Sequence, residues 1–231
     1  MKPVKWKPAL VSQEVEIMDR GTRLLGSLEI PQNPLGIVIF AHGSSSNRFS
    51  PRNQAVSLGL NQAGLGSLLF DLLSEEENQD PSTRFDIPFL AHRLQVATQW
   101  LNQWLSKHLP SLQLPLGYLG SSTGAAAALC AAAELGSQIT AIVSRGGRPD
   151  LAFPHLKRVV APTLLLVGGL DVPVIAMNQS AFHELRFAQL VVIPGATHLF
   201  EESGKLEEVT VYAKSWFLQH FQKTRPQQIG A

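Results

Sequence analysis

The chain has 231 residues, 45% of them hydrophobic and 16% charged. That composition suits one packed domain over 1–231 and speaks against disorder. Formal charge is +1, from 19 Lys and Arg against 18 Asp and Glu, which leaves no basic excess for a nucleic-acid surface.

Met1–Lys7 carries three lysines with no long apolar core behind them, so no signal peptide is expected. Glu14–Ile17 and Arg23–Glu29 read as an opening antiparallel pair, turned at Asp19-Arg20-Gly21. Gly36–Ala41 is a continuous apolar run, the mark of a strand buried on both faces. Helical spacing follows over Pro51–Gln62, then a second buried strand over Gly66–Leu72. Glu75–Glu77 and the residues through Thr83 read as a solvated loop. Arg84–Leu109 is the longest helical stretch, with Trp100 and Trp104 on its apolar face and Pro110 closing it. Leu114–Gly120 is a third buried strand, followed by an alanine-rich helix over Ala125–Leu135 that takes Cys130 as a small core residue. Ile139–Ser144 and Thr163–Val167 are further strands. Pro173–Leu185 reads as a helix, Gln189–Ile193 as the last strand and Leu206–Gln222 as a closing amphipathic helix. No window holds the eighteen or so apolar residues of a membrane span. A single cysteine forms no intramolecular disulfide, which fits a cytoplasmic protein.

This alternation implies an α/β fold: a mostly parallel sheet of about seven to eight strands, with helices on both faces. Ligands of such sheets sit at the carboxyl ends of the strands. Chemistry-bearing residues are therefore sought just after each strand.

Gly120-Ser121-Ser122-Thr123-Gly124 fits G-x-S-x-G between a buried strand and a helix. The turn exposes Ser122 at a helix N-terminus, where free N–H groups favour a developing negative charge. The bland alternative is a helix cap, with Ser122 bonding the first turn. A neutral hydroxyl needs a base. His198, in the loop after the last strand, is placed to act as one. His92, His108, His183 and His220 fall in helices and His155 in a connecting segment. A base needs an acid to fix its tautomer. Asp171 follows the Thr163–Val167 strand and fits, although it too could serve as a helix cap before Pro173. Asp150 is the rival.

The order Ser122, Asp171, His198 resembles that of the α/β-hydrolase superfamily, and among its members the small, lidless dienelactone hydrolase-like esterases. The likeness runs from about Gly21 to Gln222. It implies an oxyanion hole made by the backbone N–H of Thr123 and that of Ser44, with Ser45 as the alternative donor in His42-Gly43-Ser44-Ser45-Ser46. His42 is expected to brace that loop. Larger members of the superfamily carry a cap where this chain has only residues 145–162, so an open site is expected. Dienelactone hydrolases proper use a cysteine nucleophile, and Ser122 stands at that position, so their lactone chemistry is not carried over.

The expected activity is hydrolysis of a carboxylic ester, or a thioester or small amide, through an acyl-enzyme. An acyltransferase and a binding protein with this fold are the alternatives. Arg145 and Arg148, after a strand, are candidates to meet an anionic substrate group or to pair with nearby carboxylates. The expected partner is a small-molecule substrate. No metal-ligand spacing, phosphate loop or dinucleotide pattern is present, so no metal or cofactor is expected. The oligomeric state is left open.

Overall fold

The computed structural model describes residues 9–223; the lysine-bearing Met1–Lys7 segment lies outside them. Eight strands form one sheet: β1 (Val11–Asp19), β2 (Thr22–Ile30), β3 (Gly36–Ala41), β4 (Leu65–Phe70), β5 (Leu116–Ser121), β6 (Ile139–Arg145), β7 (Thr163–Gly168) and β8 (Ala188–Ile193). Their spatial order is β1-β2-β4-β3-β5-β6-β7-β8. The first two strands pair antiparallel, and β2 meets β4 antiparallel. From β4 through β3 to β8 every pair is parallel. The eight-stranded, mostly parallel α/β sheet expected from the sequence is the one observed.

The helices are α1 (Pro51–Gln62), α2 (Glu75–Gln79), α3 (Pro81–Arg84), α4 (Ile87–His108), α5 (Thr123–Leu135), α6 (Val172–Glu184) and α7 (Lys205–Lys223). Strands β3, β4, β5 and β7 are buried at every residue, because helices cover both faces of the sheet. On one face, Val56 and Leu60 of α1 and Val209, Ala213, Phe217 and Phe221 of α7 form a core with Val38, Phe40, Leu119 and Val143. On the other, α4 and α5 pack together over Ile37, Ile39, Leu68 and Tyr118. Trp100 and Trp104 pack against that core, and Cys130 lies within it.

One segment differs from its reading as a loop, and the connection between β6 and β7 has regular structure. Residues 75–84 form α2 and α3. Ser74 caps α2 and Glu77 returns a bond to the Ser74 N–H, while Asp80 caps α3 with Pro81 behind it. Residues 149–158 form a 3-10 helix between β6 and β7. This short helix stands where a cap would be inserted, so the described residues contain no large cap.

Candidate active site

Ser122 follows β5 directly. Its backbone sits at φ 51° and ψ −122°, outside the ordinary regions for a residue with a Cβ. Such a conformation costs roughly 1–3 kcal/mol and persists only where its surroundings dictate it. Here they do. The Ser122 N–H donates to the Arg145 carbonyl at 3.3 Å, and its own carbonyl accepts from Ala125 and Arg148, each at 3.1 Å. The glycines on either side permit the tight approach. A methyl on Gly120 would strike the backbone of Ala125, and one on Gly124 would strike the carbonyl oxygens of Ala41 and His42. Although Ser122 occupies the N-cap position of α5, its side chain caps nothing. The hydroxyl is left for other work.

Asp171 and His198 stand at the ends of β7 and β8. Their side chains meet in a hydrogen bond, His198 Nδ1 to Asp171 Oδ2, at 2.7 Å. Asp171 holds the N-cap position of α6, yet it too makes no side-chain cap bond. Its carboxylate is committed to the imidazole. The rival Asp150 is instead held by Arg148, which donates from Nε and Nη2 at 2.8–3.2 Å. His198 lies over Gly146, next to the carbonyl that holds Ser122: a methyl on Gly146 would meet the His198 carbonyl at 2.9 Å and the ring Cε1 at 3.6 Å. Ser122 Oγ makes no hydrogen bond among the described residues, so none joins it to the imidazole.

The loop after β3 lies against the serine. A methyl on Gly43 would come within 3.2 Å of Ser122 Cβ. His42 braces this loop as expected. Its buried ring joins Nδ1 to the Gly43 carbonyl at 3.0 Å, and Nε2 accepts the Leu72 N–H at 3.0 Å. Both bonds are made at once only by the neutral ring with its proton on Nδ1. Burial pushes the His42 pKa below its ordinary value, against smaller opposing effects of the Gly43 bond and the Asp71 charge. The Ser44 N–H is not open toward the serine. It donates to Thr123 Oγ1 at 2.9 Å.

Each arginine has a side-chain partner within the chain. Arg148 carries the Asp150 pair. Arg145 is buried to 7% exposure, donates to Asn53 Oδ1 at 2.8 Å and leaves its other terminal nitrogen without a partner. Burial, then the neighbouring Arg52 charge, pushes its pKa down to about 10. The helix α1 that supplies Asn53 also ties the histidine loop, through an Arg52–Glu201 ion pair. Within that loop Phe200 is buried at φ 57°, a rare conformation for a bulky residue, and anchors the turn beside His198. Asn53, Arg52 and Phe200 have no local sequence signal. They matter only through partners distant in the chain.

No protein-family model matches the chain. A solved structure of dienelactone hydrolase from Anabaena variabilis shares 51% identity at a TM-score of 0.84, covering 91% of this chain and 98% of that one. Est1E from Butyrivibrio proteoclasticus shares the fold at a TM-score of 0.76 with 17% identity, over 90% of this chain and 99% of that one. A Mycobacterium tuberculosis protein named "Putative phosphoribosyl transferase" is 49% identical over 214 residues, which are 92% of this chain but 47% of that protein. The chain thus spans about half the length of the curated relatives it matches.

Proposed function

Because the chain belongs to the α/β-hydrolases and resembles dienelactone hydrolase among them, we propose that it is a serine hydrolase that cleaves a carboxylic ester, with thioesters and small amides as related substrates. Ser122 is the nucleophile, His198 the general base and Asp171 the residue that orients it. The observation that carries this reading is the 2.7 Å bond from His198 to Asp171, beside a serine held in a strained turn with its hydroxyl uncommitted.

The chemistry follows from that arrangement. Asp171 accepts a hydrogen bond from Nδ1–H, which keeps the proton on that nitrogen and leaves Nε2 as the basic nitrogen of His198. As Ser122 Oγ attacks the carbonyl carbon, its proton moves to Nε2 and the carbonyl electron pair moves to oxygen. The Thr123 N–H, at the first turn of α5, faces the resulting oxyanion. Collapse expels the alcohol, protonated by His198. Water repeats the sequence to free the acid. A Ser122–His198 hydrogen bond is expected to form with substrate bound, since catalytic hydrogen bonds are commonly loose in its absence.

The phosphoribosyl transferase name belongs to a protein about twice as long. Phosphoribosyl transfer calls for donors arranged around a pyrophosphate. A hydroxyl nucleophile with an oriented imidazole suits an acyl carbon instead, and hydrolysis is the activity assigned to this chain.

The test is intact-protein mass after incubation with a fluorophosphonate. Wild type is expected to gain one adduct and Ser122→Ala none, with ester turnover lost in parallel. Retention of the adduct by the variant would move the nucleophile elsewhere. Absence of an adduct on folded wild type would end the serine-hydrolase reading in favour of a binding role.

A further inference from the structure

We infer that the side chain of Thr123, and not only its backbone, stabilises the oxyanion, with Ser44 acting through it. This rests on the serine-hydrolase reading above.

The Ser44 N–H, the second donor that the resemblance implies, is aimed at Thr123 Oγ1 at 2.9 Å. A hydroxyl has two lone pairs and one hydrogen. Ser44 takes one lone pair. The Thr123 hydroxyl makes no other hydrogen bond among the described residues, so its hydrogen has no acceptor there. Thr123 is only 3% exposed, which keeps bulk water away from it. A buried donor hydrogen left unpaired is costly, and such groups call for an explanation. The bond from Ser44 also ties the loop after β3, where Gly43 packs on Ser122 Cβ, to the first residue of α5.

An oxyanion formed above Ser122 supplies the missing acceptor. It receives the Thr123 backbone N–H and the Thr123 hydroxyl. The Ser44 N–H, donating to Oγ1, polarises that hydroxyl and strengthens its donation. No proton is transferred in this contact. The pair formed by carbonyl opening stays on the substrate oxygen, and the serine proton goes to His198 as before. One residue thus supplies two donors, and the oxyanion does not have to displace Thr123 from Ser44.

Thr123→Val keeps the shape and removes the hydroxyl, while Thr123→Ser keeps the hydroxyl. Steady-state hydrolysis of p-nitrophenyl acetate, fluorophosphonate labelling and a crystal structure of Thr123→Val test the assignment. The expected result is a kcat about 100-fold lower in Thr123→Val with KM little changed, wild-type behaviour to within a few fold in Thr123→Ser, and loop 42–46 unmoved. An unchanged kcat in Thr123→Val overturns the assignment. A raised kcat overturns it too, and would mean that the hydroxyl blocks Ser44 in the resting site. A loss accompanied by a displaced loop, or not restored by serine, reduces Thr123 to a brace. If wild type itself takes no fluorophosphonate, the serine-hydrolase reading fails first, so the two failures are distinguishable.

Discussion

Single residues in this site are held by bonds that only one protonation state can make. His42 is the clearest case. Its neutral ring accepts the Leu72 N–H and donates to the Gly43 carbonyl, tying the ends of β3 and β4 together beside Ser122. Burial lowers its pKa from 6.5 in the folded chain, whereas the unfolded chain keeps the ordinary value. Between the two values the unfolded state binds more protons, so stability rises with pH across that window. The contribution is therefore complete above pH 6.5 and is lost as the pH falls below it, toward the depressed native value. Thermal midpoints taken between pH ~7.5 and ~5.5 should fall more steeply for wild type than for His42→Gln. Glutamine can still accept the Leu72 N–H but does not titrate. Parallel curves for the two proteins would show that His42 is not the group responsible. The bracing role was legible through the resemblance, which carries a His-Gly pair after a buried strand. The sharing of Ser44 with Thr123 was not, since 79 residues separate the partners and neither has a local pattern that announces the other.

At the scale of elements, the buried strands were read with small errors because they are apolar runs punctuated by glycine and proline, and sheet pairing changes only their ends. The long helix was also legible, although it starts at Ile87 and not at Arg84, where Asp86 caps it. What escaped were short polar helices. The signature Ser74-Glu75-Glu76-Glu77 was available as a capping box, but it does not precede an apolar run, and its acidic residues read as a solvated face. The histidine loop was placed correctly as a loop, yet its stiffness comes from elsewhere. Phe200 is buried against the α1–α7 core, while Arg52 and Glu201 pair across its rim. These two anchors differ in weight. A half-exposed ion pair contributes about 1 kcal/mol at most, whereas truncating a buried phenylalanine costs about 3–5 kcal/mol. Phe200→Ala should lower kcat by about tenfold or more through loss of His198 alignment, and Glu201→Gln should leave kcat within about twofold of wild type. Stopped-flow acylation rates alongside thermal midpoints separate alignment from stability. A Phe200→Ala protein that melts lower but acylates at the wild-type rate would remove Phe200 from any positioning role.

The whole molecule places this site along the carboxyl ends of β5, β7 and β8, from the middle of the sheet to its last strand. The β6–β7 connection offers only a 3-10 helix beside it. Apolar residues adjacent in sequence to Asp171 and His198 are exposed: Leu170 to 62%, Val172 to 69% and Leu199 to 42%. In the proposed hydrolase these side chains would form an apolar rim suited to the acyl or alkyl portion of a small ester. A site that needs no lid to open should respond to dissolved substrate alone. Initial rates on an ester taken through its solubility limit should therefore saturate with the dissolved concentration and show no jump when droplets appear. The expectation follows from geometry: with no large cap among the described residues, an interface has nothing to displace. A sharp rise in rate at the solubility limit would contradict this. It would mean that the rim is covered in solution, and limited proteolysis with and without droplets would then identify the covering segment. The smooth outcome would leave selectivity to the rim itself, and a leucine or valine replaced there by a polar residue should shift preference toward shorter acyl chains.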